Sequence, residues 1–295
     1  GTPSGAVRYD GVSFEPLTVD EGMRHNSVRT IAELDGSLWL AGEGGLSEYR
    51  DGKVARTFGH RDGIGKGIVW RLAVHQKQLW LGTSSGGLTR FDGKSFTTFT
   101  HKDGLPSDNV FSLLSDGDVL WIGTRGGGLA RYDGKRFESF GSGEGLTGKQ
   151  VMAIARRNKE LWVGTKDAGI FVFDGQRFEQ KVAGATCYGV GSGHGDLFFG
   201  TLGGGVVRVR PDNSVQTIHA ASGLVGDRVY SVLVDREGVI WFTTNAGVSK
   251  LRGDEIVRYP GHHVLSMTQH DNAIWLGTLG NGLVRMANGG VPAAN

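Results

Sequence analysis

Five residues that could bind a ligand share one recurring place in this chain. Arg29, Trp70, Phe111, Tyr188 and Tyr230 each follow the Val or Cys that opens a short apolar run. Asn109, Gln150, Arg228 and His263 stand immediately before that same residue. Aromatic faces stack on sugar rings and attract cations, while Arg and His attract anionic groups. The set is therefore suited to a sugar or an anionic sugar. Packing between neighbouring sheets would equally suit the residues that follow the Val or Cys, because strand residues alternate between faces.

Other stretches carry chemical residue types without the context their chemistry needs. Gly82-Thr83-Ser84-Ser85-Gly86 matches the nucleophile-elbow pattern but falls in a repeated turn with no helix behind it. Gly63-Ile64-Gly65-Lys66-Gly67 has the glycines of a phosphate loop but neither the Gly-Lys-Ser/Thr ending nor a following helix. His60 and His101 share one repeat position, Phe-x-His-x-Asp-Gly, which points to loop structure. His262 and His263 are adjacent, too close for two ligands on one strand face. Asp116-Gly117-Asp118 lacks the spaced carboxylates and distal Glu of a calcium loop. No catalytic set, metal site or cofactor is expected.

The elements that must position the candidate residues repeat seven times. An apolar–aromatic–apolar phrase, usually ending in Gly-Thr, centres on Trp39, Trp80, Trp121, Trp162, Phe198, Trp241 and Trp275. The first four are 41 residues apart, and the later steps are 36, 43 and 34. A period near forty built from short strands indicates a β-propeller with one four-stranded blade per repeat. The first strand starts at the register Val or Cys, and the second is the aromatic phrase. The third follows a Gly-rich turn, as in Gly128-Leu129-Ala130-Arg131-Tyr132, and an Asp-Gly turn such as Asp133-Gly134 leads to the fourth. No stretch has a sustained helical period, so almost no helix is expected.

The predicted fold is an all-β, seven-bladed propeller of antiparallel four-stranded blades in a single domain, 1–295. The blades span about 27–59, 68–100, 109–141, 150–182, 186–219, 228–260, and 263–287 plus 1–18. The N-terminal segment from Ser13 to Leu17 is expected to supply the last blade's missing fourth strand and close the ring. One third strand, Ala6–Tyr9, is then surplus, as if the chain were cut from a longer array. The loops running from a fourth strand to the next first strand are expected to share one face with the turns after the second strands. Binding is expected there, at one mouth of the central channel.

Composition narrows the classes further. The 51 glycines among 295 residues fall at fixed repeat positions, so they mark turns and not low complexity. A net charge of +2 with scattered Lys and Arg gives no reason to expect nucleic acid. No apolar run reaches the roughly 20 residues of a membrane helix. A single cysteine, Cys187, excludes an internal disulfide.

The unit running from Asp103-Gly104-Leu105-Pro106 through Leu120-Trp121-Ile122-Gly123-Thr124 to Tyr132-Asp133-Gly134 resembles the two-component-regulator propeller repeat. The resemblance covers essentially the whole chain, with departures at Phe198 in the fifth unit and Thr243 in the sixth. It implies the extracytoplasmic, periplasmic or extracellular input part of a bacterial signalling protein, non-catalytic and responsive to a small molecule or oligosaccharide. A homodimer or neighbouring signalling domains are the further partners it implies. Two alternatives stay open: a protein-interaction or dimerising propeller, and a metal-dependent lyase. The lyase reading rests on Ile240 to Gly247, which looks like the streptogramin lyase repeat, and on His263.

Overall fold

A computed structural model of the chain describes residues 5–9, 14–270, 273–279 and 283–286. Among them lie 29 strands and four three-residue 3-10 turns, with no α-helix. Six antiparallel sheets have four strands each in simple sequential order, a seventh has three, and Ala6–Tyr9 pairs with Phe14–Leu17 as a separate hairpin. This is the seven-bladed β-propeller predicted from the repeat. The chain divides into two compact units, residues 1–143 with 149–151 and residues 144–148 with 152–295.

Within the first unit, the four strands of the first sheet are Val28–Leu34, Ser37–Gly42, Gly45–Arg50 and Lys53–Phe58. The second sheet repeats the plan at Val69–His75, Gln78–Thr83, Leu88–Phe91 and Phe96–Phe99. Its core lies between consecutive sheets. Trp39 and Leu46 of the first sheet pack against Leu79, Leu81 and Phe91 of the second. Trp80, on the opposite face from Leu79 and Leu81, packs with Leu120, Ile122 and Tyr132 of the next. The period-2 alternation of the aromatic phrase thus serves two interfaces at once. The second unit is built alike, with Trp162 and Ile170 against Leu197 and Phe199, and Phe198 against Ile240 and Phe242.

Each anchor aromatic also lies under a cation. Arg90, Arg131, Arg208, Lys250 and Arg285 are the third-strand partners of Trp80, Trp121, Phe198, Trp241 and Trp275. Their charged ends sit 5.0–6.0 Å from the ring centroids. Where the third strand supplies Glu48 or Val172 instead, a different arginine takes over. Arg56 then lies 5.6 Å from Trp39, and Arg157 lies 4.8 Å from Trp162. The Arg of the Gly-Leu-x-Arg phrase is therefore a cross-strand cation–π lid.

Gly-Thr has an equally local reason. The hydroxyls of Thr83, Thr124, Thr165 and Thr201 each donate to the carbonyl of the glycine four residues on, at 2.9 Å, closing the turn into the third strand. The Asp-Gly turns at Asp92, Asp133 and Asp174 are four-residue loops, with Phe91 facing Phe96 across Asp92–Ser95. Asp51-Gly52, by contrast, is a two-residue turn between Arg50 and Lys53. The Asp92 carboxylate accepts the N–H groups of Lys94 and Ser95 at 2.8 and 2.7 Å. These bonds hold its pKa down at about 2.

Ser13 lies outside the described residues. Phe14–Leu17 pairs with Ala6–Tyr9 in a sheet of its own, so among the described residues the expected pairing of this strand with the last sheet is not seen. That hairpin packs on the first sheet, with Ala6 and Leu17 among Met23, Val28 and Leu40.

Candidate functional site

A bulge sits at the candidate position in six first strands. The register slips between Val28 and Thr30, Val69 and Arg71, and Val110 and Ser112 in the first unit. It slips between Cys187 and Gly189, Val229 and Ser231, and Val264 and Ser266 in the second. The residues that the ladder register skips are Arg29, Trp70, Phe111, Tyr188, Tyr230 and Leu265. A bulge breaks the alternation and re-aims its side chain, so these residues do not follow the simple face-to-face pattern.

In the first unit the re-aimed side chains form a row across three sheets. The Arg29 guanidinium is 5.6 Å from the Trp70 ring, and Trp70 is 5.7 Å from Phe111 at a 41° tilt. Arg125, from the turn after the second strand, continues the row 5.5 Å from Phe111. Phe111 is buried, whereas Trp70 is only half-buried and Arg29 exposed. Glu43, in the corresponding turn of the first sheet, pairs with Arg29 at 3.1 Å. That hydrogen bond holds the Glu43 carboxyl below its ordinary value. Trp70 Nε1 and Asn109 Oδ1 are buried without a hydrogen-bond partner, a costly condition that a bound polar group would relieve.

The second unit has its own row. Tyr188 meets Tyr230 edge-on at 6.0 Å, and Tyr230 stacks on His263 at 4.9 Å and 28°. His263 Nε2 is likewise buried and without a partner. Gln150 and Arg228 are placed by main-chain bridges. Gln150 bridges Arg125, and exposed Arg228 bridges Leu202 through the main chain.

Loops and turns meet at one end of each sheet, as expected from the sequence. The N–H groups of Ser84 and Arg125 donate to the carbonyls of Ile68 and Asn109 at 2.9 and 2.8 Å. In the second unit, Leu202, Asn245 and Leu279 donate likewise to Thr186, Arg228 and His263. Sequence reasoning missed Glu43 and Arg125. The signal was available, since the position after Gly-Thr reads Glu43, Ser84, Arg125, Lys166, Leu202, Asn245 and Leu279, a disagreement within well-matched repeats.

The motifs set aside earlier have structural roles. Ser84 Oγ accepts the Ile68 N–H at 2.9 Å, and His101 Nδ1 holds Asp108 Oδ2 at 2.7 Å inside its loop. Cys187 is buried, which pushes its thiol pKa up to about 12. Among the described residues no three His, Cys, Asp or Glu side chains gather in metal-ligating geometry. None of their helices is long and apolar enough to cross a membrane.

Blades with variable residues gathered at the loop end define the class, a seven-bladed β-propeller. Within that class, the two-component regulator propeller family model matches residues 104–126 and 223–246. The chain thus carries two-component-regulator propeller repeats, and one of them is the sixth unit, where Thr243 departs from the common glycine.

No curated protein sequence matches the chain. Among solved structures, it is similar to the extracellular domain of the proposed hybrid two-component system BT4673 from B. thetaiotaomicron. The TM-score is 0.67 at 22% identity, over 99% of this chain and 43% of that one. The extracellular domain of BT3049 from the same organism gives 0.68 at 18% identity, over 91% and 41%. The chain therefore spans less than half the length of those domains. Virginiamycin B lyase from Staphylococcus aureus gives 0.66 at 14% identity, over 85% and 91%. At these identities the likeness is one of fold.

Proposed function

We propose that this chain is the non-catalytic sensing propeller of a two-component-type signalling protein, working outside the cytoplasm and binding a small molecule or oligosaccharide. The observation that carries the reading is the row Arg29–Trp70–Phe111–Arg125. Two aromatic rings meet there between two guanidinium groups, with Trp70 half-buried and Arg29 exposed, at positions where otherwise matching repeats differ. A half-buried Trp with an unpartnered N–H offers a stacking face and a donor to a sugar hydroxyl. The repeat family supports the signalling role, and the extracellular neighbours support the location. Asn109, with its unpartnered Oδ1, adds an acceptor, and the Tyr188–Tyr230–His263 row is a second candidate surface of the same chemistry.

A thermal-shift screen against neutral and acidic oligosaccharides, followed by calorimetric titration, tests this directly. Saturable binding that Trp70→Ala weakens at least about tenfold is expected. Binding unchanged in Trp70→Ala and weakened in Tyr230→Ala would move the site to the second row. No stabilisation by any glycan would overturn the ligand-sensing reading and leave a protein-interaction propeller.

A further inference from the structure

The turn after the second strand is one residue shorter in the first repeat, Trp39 to Leu46, than in the second, Trp80 to Leu88. It also carries Ala41-Gly42 where the next repeats carry Gly-Thr, so it lacks the threonine hydroxyl that closes its counterparts. In the second, third and fifth repeats the turn is tied to the loop entering the next sheet. The N–H groups of Gly87, Gly128 and Gly205 donate to the carbonyls of Asp108, Lys149 and Asp227 at 2.8, 3.1 and 2.9 Å. Among the described residues no such bond joins Gly45 to Gly67, the corresponding pair. An open groove of about 880 Å³ lies between turn and loop instead, lined by Arg24, Glu43, His60, Ile64, Lys66 and Ile68.

The same loop lacks a carboxylate that two of its counterparts, in the third and sixth repeats, possess. Asp108 Oδ1 accepts the His101 N–H and Asp227 Oδ1 accepts the Ala220 N–H, both at 2.6 Å. The equivalent residue here is Gly67, at φ 91°, where a Cβ would come within 2.2 Å of Ser84 Oγ. The His60 N–H, equivalent to that of His101, meets no acceptor among the described residues. His60 Nδ1 turns to the Ile64 carbonyl at 2.9 Å.

Two cations complete the picture. Neither Arg24 nor Lys66 has a carboxylate within ion-pair distance among the described residues. The Arg24 guanidinium lies flat on Gly59, where a Cβ would come within 2.3 Å of its Nε. The groove's own carboxylate, Glu43, is taken by Arg29 at 3.1 Å, and Asp62 accepts the Gly59 N–H at 2.7 Å.

We infer that this groove is a binding site for a carboxylate-bearing small ligand of sugar-acid size, held by Arg24 and Lys66. The ligand's carboxylate supplies to the Gly59–Ile68 loop the group that Asp108 and Asp227 supply to theirs. An Arg fork offers paired donors to a carboxylate, and Lys adds a point charge. The site touches the row through the Arg29–Glu43 ion pair but uses neither Trp70 nor Phe111.

Titration of the 15N-labelled chain with sodium D-glucuronate, D-glucose and sodium sulfate at matched ionic strength reads the site through the amides of Gly44, Gly45, Lys66 and Gly67. Glucuronate is expected to shift these amides saturably, and glucose is not. Arg24→Gln should raise the half-saturation point about tenfold. Lys66→Gln should raise it by a smaller factor and serves as the reading if Arg24→Gln disturbs the fold. Trp70→Ala should leave it unchanged, which separates this site from the sensing row. Absence of shifts, equal shifts with glucose or sulfate, or a response that survives both substitutions would overturn the inference.

Discussion

Two tryptophans separate structure from function at the scale of single residues. Trp80 is 1% exposed and wedged against Phe99 and Tyr132, with Arg90 above it. Trp80→Ala should cost roughly 3–5 kcal/mol, seen as a fall in the chemical-denaturation midpoint. Trp70 is half-buried at a bulge, so Trp70→Ala should destabilise clearly less while weakening ligand binding at least about tenfold. If the two variants lose equal stability, Trp70 is an anchor like the others. The sequence distinguished them, because Trp70 is the only tryptophan outside the anchor register. It did not reveal that Phe111 is buried beside Trp70 or that Arg125 reaches over Phe111. Those facts depend on where bulges fall and on which turn comes near.

Short local bonds explain the repeat at the scale of strands and turns. Thr124 Oγ1 donates to the Gly128 carbonyl at 2.9 Å inside a buried turn. Thr124→Val keeps the shape and removes one of the two bonds that carbonyl accepts, the Thr124 main-chain N–H remaining at 2.9 Å. A loss of about 0.5–1.5 kcal/mol is therefore expected from urea unfolding. The cation–π lids predict coupling between strands. A double-mutant cycle on Arg90 and Trp80 should return an interaction energy of about 0.5–2 kcal/mol, and a value near zero would reduce the lid to coincidence. Period, turns and strand order were legible because each depends on residues a few positions apart. The Arg lid was visible only as an unexplained repeat, since its partner lies on the neighbouring strand.

Charge provides the test at the scale of the whole molecule. Burial lowers the pKa of His75 from 6.5, so the unfolded chain takes up this proton at higher pH than the folded one. Its stabilising contribution is complete above 6.5 and is lost as pH falls below it. Burial alone would raise Glu48, but hydrogen bonds from Arg56 and Ser37 outweigh it and hold the carboxyl below 4.5. Glu160 is also held below 4.5 and Asp133, Asp174 and Asp212 below 3.8 by their hydrogen bonds, with Asp92 lowest at about 2. Stability from these groups is present above their ordinary values and is lost as pH falls through the folded ones. The melting temperature should therefore decline in two stages on acidification, one starting below 6.5 and one below 4.5. His75→Gln should remove the first stage alone, and a first stage that persists in that variant would assign it to another group.

The amino-acid order by itself determined the blade. Strand alternation, turn chemistry and the aromatic anchor are encoded within each forty-residue unit, so seven similar units declare seven similar sheets. It also marked the positions proposed for binding, as those at which the units disagree. Tertiary structure decided what those positions make. Bulges turned Arg29, Trp70 and Phe111 into one row, and the approach of a turn and a loop left a groove beside Arg24 and Lys66. Both outcomes arise from distances between neighbouring sheets, which no single repeat contains.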